Sequence, residues 1–135
     1  MKIIVCLDDK NGMSFWKKRQ SFDKAVCERI LQLCHGKRLW MNKYSQKLFE
    51  GMGGDIFADD GFLDCAGKDD FCFVENVDVT PYIPEAAEVV LLKWNRTYPA
   101  DLCFSIEQLT GWGKVNAEEF PGNSHERITL EVYRR

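Results

Sequence analysis

The sequence has no long apolar run and no strong excess of charge of either sign. None of its apolar stretches approaches the roughly 18–20 residues that a membrane-spanning helix requires, and the short start from Met1 to Asp8 turns acidic too soon for a secretory signal. Its 18 Lys and Arg against 21 Asp and Glu leave a net charge of −3. Non-specific binding of nucleic acid needs a concentrated basic surface, which this composition does not favour. We therefore expect a cytoplasmic protein whose partner is neither a membrane nor a nucleic acid.

Histidine is scarce, with His35 and His125 as the only two. A hydrolytic zinc centre draws several ligands from one short motif, and two distant histidines cannot supply it. Structural zinc sites need closely paired cysteines, usually with roughly two to four residues between them. The closest pairs here, such as Cys27 and Cys34, have six residues between them. The sequence therefore gives no support to a metallo-hydrolase and predicts no metal site.

The six cysteines fit apolar patterns better than a disulfide framework. Cys6 and Cys72 lie in strand-like runs, and Cys27 and Cys34 share one helical face. We expect reduced thiols that act as small apolar side chains. A catalytic pairing of a cysteine with a histidine stays open, because such partners meet in space. At Cys34-His35-Gly36 the favoured interpretation is the end of a helix, with histidine at its negative pole and glycine as its stop.

The 135 residues predict one domain, 1–135, in which strands alternate with helices. Ser21 is the predicted cap of a helix ending at Gly36, Ser45 caps a short helix to Phe49, and 80–87 forms a third. The predicted strands are 2–7, 37–41, 55–58, 71–74, 88–94, 113–120 and 127–134. Residues 13–22 are expected to form an irregular loop and 59–70 a polar connection. This order predicts an α/β fold with a mixed, mostly parallel sheet flanked by helices, in which 2–7, 39–41 and 71–74 are neighbours and the C-terminal strands pair antiparallel.

The same order of elements, together with short segments along nearly the whole chain, carries a family resemblance. The matching segments are Asn11-Gly12-Met13 after the first strand, Trp16 and then Asp23 at the head of a helix, Leu39 to Ser45, Phe71 to Val74, Leu91 to Trp94, Asp101 to Phe104, Trp112, and Asn123 to Arg135. In order and spacing they resemble dihydrofolate reductase. The resemblance implies a dihydrofolate reductase-like fold, with NADPH and a pterin-like substrate as the ligands of an active member.

The resemblance also implies site residues. Asp23 would be the substrate-binding carboxylate and catalytic acid, and Trp16, Asn11 and Met13 would line the ligand site on the mobile loop. The cofactor positions would be Asn42 and Lys43 after one strand and Glu75 and Asn76 after another.

Those cofactor positions depart from the family's pattern. Glu75-Asn76 stands where reductases have a Gly-Gly turn whose bare N–H groups approach the cofactor pyrophosphate. Met41-Asn42-Lys43 replaces Met-Gly-Arg, Lys93 replaces a substrate-binding threonine, and no arginine lies near Gly53-Gly54 to anchor a folate carboxylate. The connection 59–70 is too short for the elements that hold the adenosine end. The sequence therefore predicts a dismantled NADPH site.

Several residues keep two interpretations. Asp23 either donates a proton or hydrogen-bonds a pterin-like ring, or it is an acid favourably placed in the first turn of a helix. Lys17-Lys18-Arg19 either meets an anionic ligand or nucleic acid, or is a solvated charge run, which the acidic chain favours. Trp16, beside these charges, is the aromatic residue expected to touch a ligand or partner.

Two functional hypotheses follow. The first is a divergent, non-catalytic or repurposed protein without a cofactor that binds a small molecule or a protein partner. The second is an NADPH-dependent reductase of a pterin-like molecule, in which Asp23, Trp16 and Lys43 handle the proton, the ring and a phosphate. The sequence also leaves open assembly with further copies of the chain.

Overall fold

The N-terminal strand, β1 (Lys2–Leu7), forms the centre of the main sheet in the computed structural model, which describes all 135 residues. Its apolar, β-branched side chains are buried on both faces, as in parallel strands covered on both sides. β1 pairs in parallel with two strands from the later half of the chain, Phe71–Val74 and Glu88–Lys93. The sheet is therefore held together by contacts between residues that are distant in sequence.

The strands form two sheets. They are β1 (Lys2–Leu7), β2 (Gly12–Phe15), β3 (Lys18–Arg19), β4 (Leu39–Met41), β5 (Ile56–Ala58), β6 (Phe71–Val74), β7 (Glu88–Lys93), β8 (Leu102–Cys103), β9 (Gly113–Phe120) and β10 (Ile128–Arg134). Seven of them form the main sheet in the order β5-β4-β6-β1-β7-β10-β9, and β3-β2-β8 form a small second sheet. In the main sheet, β10 pairs antiparallel with both β7 and β9, and the remaining pairs are parallel.

The helices are short. They are α1 (Lys24–Leu33), α2 (Lys43–Gln46) and α3 (Phe62–Cys65), with 3-10 turns at Lys47–Phe49, Thr80–Glu85 and Ile106–Leu109. None of the helices has the length and apolar character needed to cross a bilayer.

A hydrophobic core lies on each face of the main sheet because alternate residues of β1 point to opposite faces. Ile4 belongs to the core under α1, together with Ile30 and Phe73. Ile3 and Val5 belong to the core on the other face, beneath α3 and the 3-10 turns at Thr80–Glu85 and Ile106–Leu109.

The predicted α/β class and mixed, mostly parallel sheet are confirmed. β4, β6 and β1 are consecutive neighbours, and the predicted strands 2–7, 71–74 and 113–120 have the observed bounds. The antiparallel pairing of 127–134 with another C-terminal strand is also confirmed.

Some local predictions are wrong. Residues 13–22 are not an irregular loop, because β2 and β3 form a hairpin there, and 59–70 contains α3. The α1 cap is Asp23 rather than Ser21, since the Asp23 carboxylate accepts the Ala25 N–H. Similarly, Asn42 rather than Ser45 caps α2.

Candidate functional site

The candidate site lies where the parallel strands of the main sheet end, which is where open α/β sheets bind ligands. Glu75 and Asn76 follow β6, and Asn42 and Lys43 follow β4. The hairpin of β2 and β3 contacts the end of β6, where Arg19 donates to Glu75 and the Lys17 carbonyl accepts from Asn76. The predicted cofactor positions Glu75 and Asn76 therefore contact the hairpin whose tip carries Trp16.

Glu75 is held by an arginine that lies 56 residues earlier in the chain. Arg19 Nε donates to Glu75 Oε2 at 2.8 Å and Arg19 Nη2 donates to Oε1 at 3.0 Å. Ser45 Oγ donates to Oε1 at 2.7 Å. The side chain of Glu75 is 7% exposed and that of Arg19 25%, so the pair is largely shielded from water. The pKa of Arg19 is raised, against the effect of its own burial, by its hydrogen bonds and charge attraction to Glu75.

This pairing corrects the interpretation of Lys17-Lys18-Arg19 as one uniform charge run. Lys17 and Lys18 are exposed, whereas Arg19 is half-buried and lies over the ring of Tyr44, 4.4 Å from its centroid. The backbone N–H of Arg19 also donates to the Tyr44 hydroxyl at 2.9 Å. Arg19 thus belongs to the site, and Lys17 and Lys18 belong to the surface.

Asn76 forms a second link between the strand end and the hairpin. Its Nδ2 donates to the Lys17 carbonyl at 3.0 Å, and its Oδ1 accepts from Asn42 Nδ2 at 2.9 Å. Asn42 also caps α2 by accepting the Ser45 N–H. Lys43 is exposed, and its backbone N–H donates to Asp60. The structure therefore brings Asn42, Glu75 and Asn76 together and leaves Lys43 at the rim.

The tip of the hairpin consists of Trp16 and Lys17, with φ values of 50° and 61°. A two-residue turn with positive φ at both positions normally requires Asn-Gly, because other side chains are strained there. Trp16 is 77% exposed and stacks on Phe15 with ring centroids 5.3 Å apart. The tip therefore presents a large aromatic surface in a strained backbone conformation.

The other two predicted ligand-loop residues do not reach the cleft. Met13 is buried in the core that also contains Phe104, on the face away from α1. Asn11 adopts a φ of 62° in the turn before β2, where its carbonyl accepts the Phe104 N–H. Both residues support the turn and the hairpin.

Asp23 is almost fully buried and its carboxylate is surrounded by donors. It accepts the N–H of Ala25 at the start of α1 and the N–H groups of three consecutive residues, Asn123, Ser124 and His125. These hydrogen bonds outweigh the desolvation of the carboxyl group and lower the pKa of Asp23 to about 2. The N-cap interpretation of Asp23 is thus observed, with a second function as the anchor of the loop 121–126.

His125 links Asp23 to two hydroxyl groups. Its Nδ1 lies 3.0 Å from Asp23 Oδ2, and its Nε2 lies 3.0 Å from Ser21 Oγ and 2.9 Å from the Tyr98 hydroxyl. Because an ionised carboxylate only accepts, Nδ1 carries a proton and donates it to Asp23, and in the neutral ring Nε2 is the acceptor for the two hydroxyls. The ring stacks on Trp94 with centroids 4.7 Å apart. Serine, histidine and aspartate therefore have the connectivity of a hydrolase triad, although Tyr98 shares the histidine nitrogen.

The space beside this network is very small. A cavity of about 10 Å³ remains between β1, α1 and β6, and apolar side chains dominate its lining. Among these side chains are Cys6, Phe22, Ile30, Leu48, Phe73 and Trp94. A single water needs about 10–15 Å³, while small-molecule sites usually measure roughly 300–1,000 Å³. The cleft beside Asp23 and Ser21 is thus large enough for one water.

Larger hollows lie on the surface, and one of them shares Trp94 with this cleft. One of about 310 Å³ is lined by Asn95, Arg96, Glu126 and Arg127 around the edge of Trp94. Another, of about 600 Å³, lies between α1 and the glycine-rich segment 51–54. The lining of the first is mostly polar, unlike the apolar walls of typical ligand sites, and the second combines charged side chains such as Lys24 and Glu28 with Leu31 and Met52.

The partners of Glu75 and His125 were not predicted from the sequence. Ser45 was expected to cap a helix, and Arg19 was expected either to meet an anionic ligand or nucleic acid or to be solvated, not to pair with Glu75. The sequence contained one signal for this pairing. A glutamate directly after a buried strand, as Glu75 is, needs a cationic partner when it is itself buried. Lys93, placed where reductases have a threonine, forms an ion pair with Glu131 at 2.9 Å.

Comparison with known proteins gives a result at the level of structure only. No family model matches the sequence, and no curated protein matches it. Among solved structures, the chain is similar to a dihydrofolate reductase from Enterococcus faecalis in complex with NADP(H) and RAB-propyl, at a TM-score of 0.67 and 13% identity. The match covers 99% of this chain and 95% of that one. The chain therefore has the dihydrofolate reductase fold over its whole length.

Proposed function

We propose that this chain is a non-catalytic protein of the dihydrofolate reductase fold that binds a protein partner and takes no cofactor. The observation that carries the proposal is the Arg19–Glu75 pair at the end of β6. This pair connects the hairpin to the turn after β6, which a nucleotide-binding relative needs to keep open for the cofactor.

Glu75 and Asn76, in the turn after β6, do not fit the pyrophosphate of NADPH. A carboxylate at a few ångströms repels it, by roughly 4 kcal/mol per pair of unit charges about 4 Å apart at an effective dielectric of 20. The cation nearest to Glu75, Arg19, is already engaged by that carboxylate. The Asn76 side chain also occupies space that bare backbone needs for close approach to a phosphate. Productive binding would require breaking a shielded ion pair and moving the hairpin.

In this proposal Asp23 acts as a structural anchor. Its lowered pKa leaves it ionised at neutral pH, with no proton to donate. Its two oxygens already accept from Ala25 and from the loop 121–126, so no lone pair faces the cleft without a donor. The cleft has no room for a pterin-like ring beside it.

The partner would bind at the hairpin tip. Trp16 and Phe15 offer stacked aromatic surface, and Lys17 and Lys18 add positive charge beside it. Aromatic residues flanked by cations are typical of binding surfaces that recognise an acidic protein. Strain at the exposed Trp16–Lys17 turn fits a functional constraint on these residues, because backbone strain clusters at such sites. Free cysteine thiols accord with the expected cytoplasmic location.

The decisive experiment is a titration of NADPH into the protein, followed by tryptophan fluorescence and thermal midpoint. We expect no response at about 1 mM, because any ligand that binds the native state raises its stability. A dissociation constant in the micromolar range would instead support the alternative, an NADPH-dependent reductase of a pterin-like molecule that uses Asp23, Trp16 and Lys43.

A double substitution, Glu75→Gly with Asn76→Gly, makes the test sharper. It releases Arg19 as a free cation and restores bare backbone, so NADPH binding should become measurable, more so at low salt. The matched control is Glu88→Gly, which removes a glutamate paired with Arg134 at 2.8 Å at the start of β7, at the opposite end of the parallel strands. Tight binding by the unaltered protein that the double substitution weakens would refute the proposal.

A further inference from the structure

The strand β9 (Gly113–Phe120) is an open edge of the main sheet. It pairs with β10 on one side and has no strand on the other. Five consecutive residues at its start are exposed, and the apolar side chain of Val115 is 52% exposed. An edge of this length presents a row of unpaired N–H and C=O groups to any strand that fits it.

The two faces of β9 follow from its register with β10. Lys114, Ala117 and Glu119 lie opposite Tyr133, Glu131 and Thr129 respectively. These three β10 residues alternate regularly, so Lys114, Ala117 and Glu119 occupy three evenly spaced positions on one face. Lys114 shares this face because the register shifts between Val132 and Tyr133, which leaves Val115 without a partner residue in β10.

We propose that β9 pairs antiparallel with β9 of a second copy of this chain, about a two-fold axis at Ala117. Under this symmetry Lys114 lies opposite Glu119 of the partner subunit, and Glu119 lies opposite the partner subunit's Lys114. On the other face, Asn116 lies opposite the partner subunit's Glu118. The small side chain of Ala117 at the axis allows the two strands to approach. The pairing joins the two seven-stranded sheets edge to edge.

Charge complementarity is the argument for a second copy rather than another strand. Opposite charges directly across an antiparallel pair stabilise it, and like charges destabilise it. Lys114 and Glu119 lie on either side of Ala117, so a two-fold axis at Ala117 places each of them opposite the other residue type of the second copy. Each dimer therefore contains two such lysine–glutamate pairs. A lysine and an irregularity on an edge strand often prevent pairing. Here the irregularity instead brings Lys114 onto the same face as Glu119.

The dimer is expected to be weak. One pair of eight-residue strands buries less surface than the roughly 1,200–2,000 Å² of stable interfaces. We expect mostly monomer at about 1 µM and mostly dimer at about 500 µM, which sedimentation velocity and light scattering both measure.

The test is a charge swap. Glu119→Lys places lysines opposite each other twice and should raise the dissociation constant about tenfold. Within the chain, Glu119 forms an ion pair only with Arg127, at 3.5 Å, and both side chains are exposed, so this substitution should leave the fold unaffected. Lys114→Glu should weaken the dimer similarly, and Lys114→Glu with Glu119→Lys should restore affinity relative to either single variant.

Glu126→Lys is the matched control, because it makes the same charge change at an exposed residue outside β9. Circular dichroism and the thermal midpoint verify that each variant folds. This matters for Lys114, which also contacts Glu131 at 2.8 Å within the chain. A wild-type protein that stays monomeric to about 500 µM, or a double variant no tighter than the single variants, would overturn the proposal.

Discussion

Asp23 and His125 lie 102 residues apart in the sequence, yet the Nδ1 atom of His125 is 3.0 Å from the Asp23 carboxylate and both side chains are almost completely buried. The contact joins the start of α1 to the loop between β9 and β10. Ser21 and Tyr98 extend it through the other ring nitrogen. Since the adjoining cavity has room for a single water, this network is best understood as a tether between three segments of the chain.

Acid should weaken this tether. The pKa of Asp23 is lowered to about 2 in the folded protein, against about 3.9 in an unfolded chain. A group with a lowered folded pKa contributes stability that is complete above the unfolded value and is lost as the pH falls through the folded value. We expect Asp23 to contribute about 2 kcal/mol to the free energy of unfolding, lost between about pH 4 and pH 2.

Urea unfolding of the wild type and of Asp23→Asn at several pH values measures this contribution. The two proteins should differ most above about pH 4 and converge below about pH 2. Asp8, Asp70 and Glu131 also have pKa values lowered by hydrogen bonds, against the effect of burial, so the wild type should lose further stability in acid. A difference between the two proteins that does not change with pH would contradict the assignment.

Arg19 and Glu75 should be energetically coupled. Replacing either one, in Arg19→Met or Glu75→Gln, leaves its partner poorly paired and should lower the free energy of unfolding by about 2 kcal/mol; the partial exposure of Arg19 keeps the loss below that of a fully buried pair. The double variant should cost less than the sum of the single variants, with a coupling energy of about 1 kcal/mol. Chemical denaturation of all four proteins gives that energy. Strict additivity would show that the pair does not hold the hairpin.

The hairpin tip should become more stable when its strain is removed. Trp16→Asn with Lys17→Gly supplies the residues that this turn geometry prefers, and each replaces a side chain at positive φ. We expect a gain of about 1–2 kcal/mol in the free energy of unfolding, together with loss of the proposed partner binding. Lys17→Gly alone should give part of the gain and retain Trp16. A double variant less stable than the wild type would show that Trp16 packs favourably at the tip.

The six cysteines should divide into two reactivity classes. Burial raises the pKa of Cys27, Cys34 and Cys72 to about 12 and that of Cys6 well above its ordinary value. Because the thiolate is the reactive form, these four should resist alkylation in the native protein. Cys65 and Cys103 are exposed and should react first. Iodoacetamide labelling followed by mass spectrometry tests this, with the urea-unfolded protein as the control in which all six react.

The main sheet could be predicted from the sequence because its strands are continuous apolar runs. Ile3-Ile4-Val5 and Phe71-Cys72-Phe73 are typical of strands buried on both faces, and the order of such runs was enough for the fold class. The hairpin could not be predicted, because Trp16 and Lys17 are unfavourable in the turn that they form. The pattern there contained no Asn-Gly or Gly to mark it.

The candidate site was only partly predictable, for a different reason. Its positions came from the resemblance to dihydrofolate reductase, and Asn42, Glu75 and Asn76 do lie together. Their partners come from elsewhere in the chain, and a single sequence does not indicate which cation pairs with Glu75. Propensity likewise failed to separate Asp23 from Ser21 as the helix cap, since both residue types are favourable there.

The central position of β1 also determines when the protein can fold during synthesis. β1 is made before its two neighbours, β6 and β7, which begin only at Phe71 and Glu88. Until then its apolar residues have no partner strand, and nascent chains with unpaired strands are prone to aggregation. Domains dominated by contacts between distant residues also fold slowly. The centre of the main sheet is therefore expected to form only after β7 has left the ribosome.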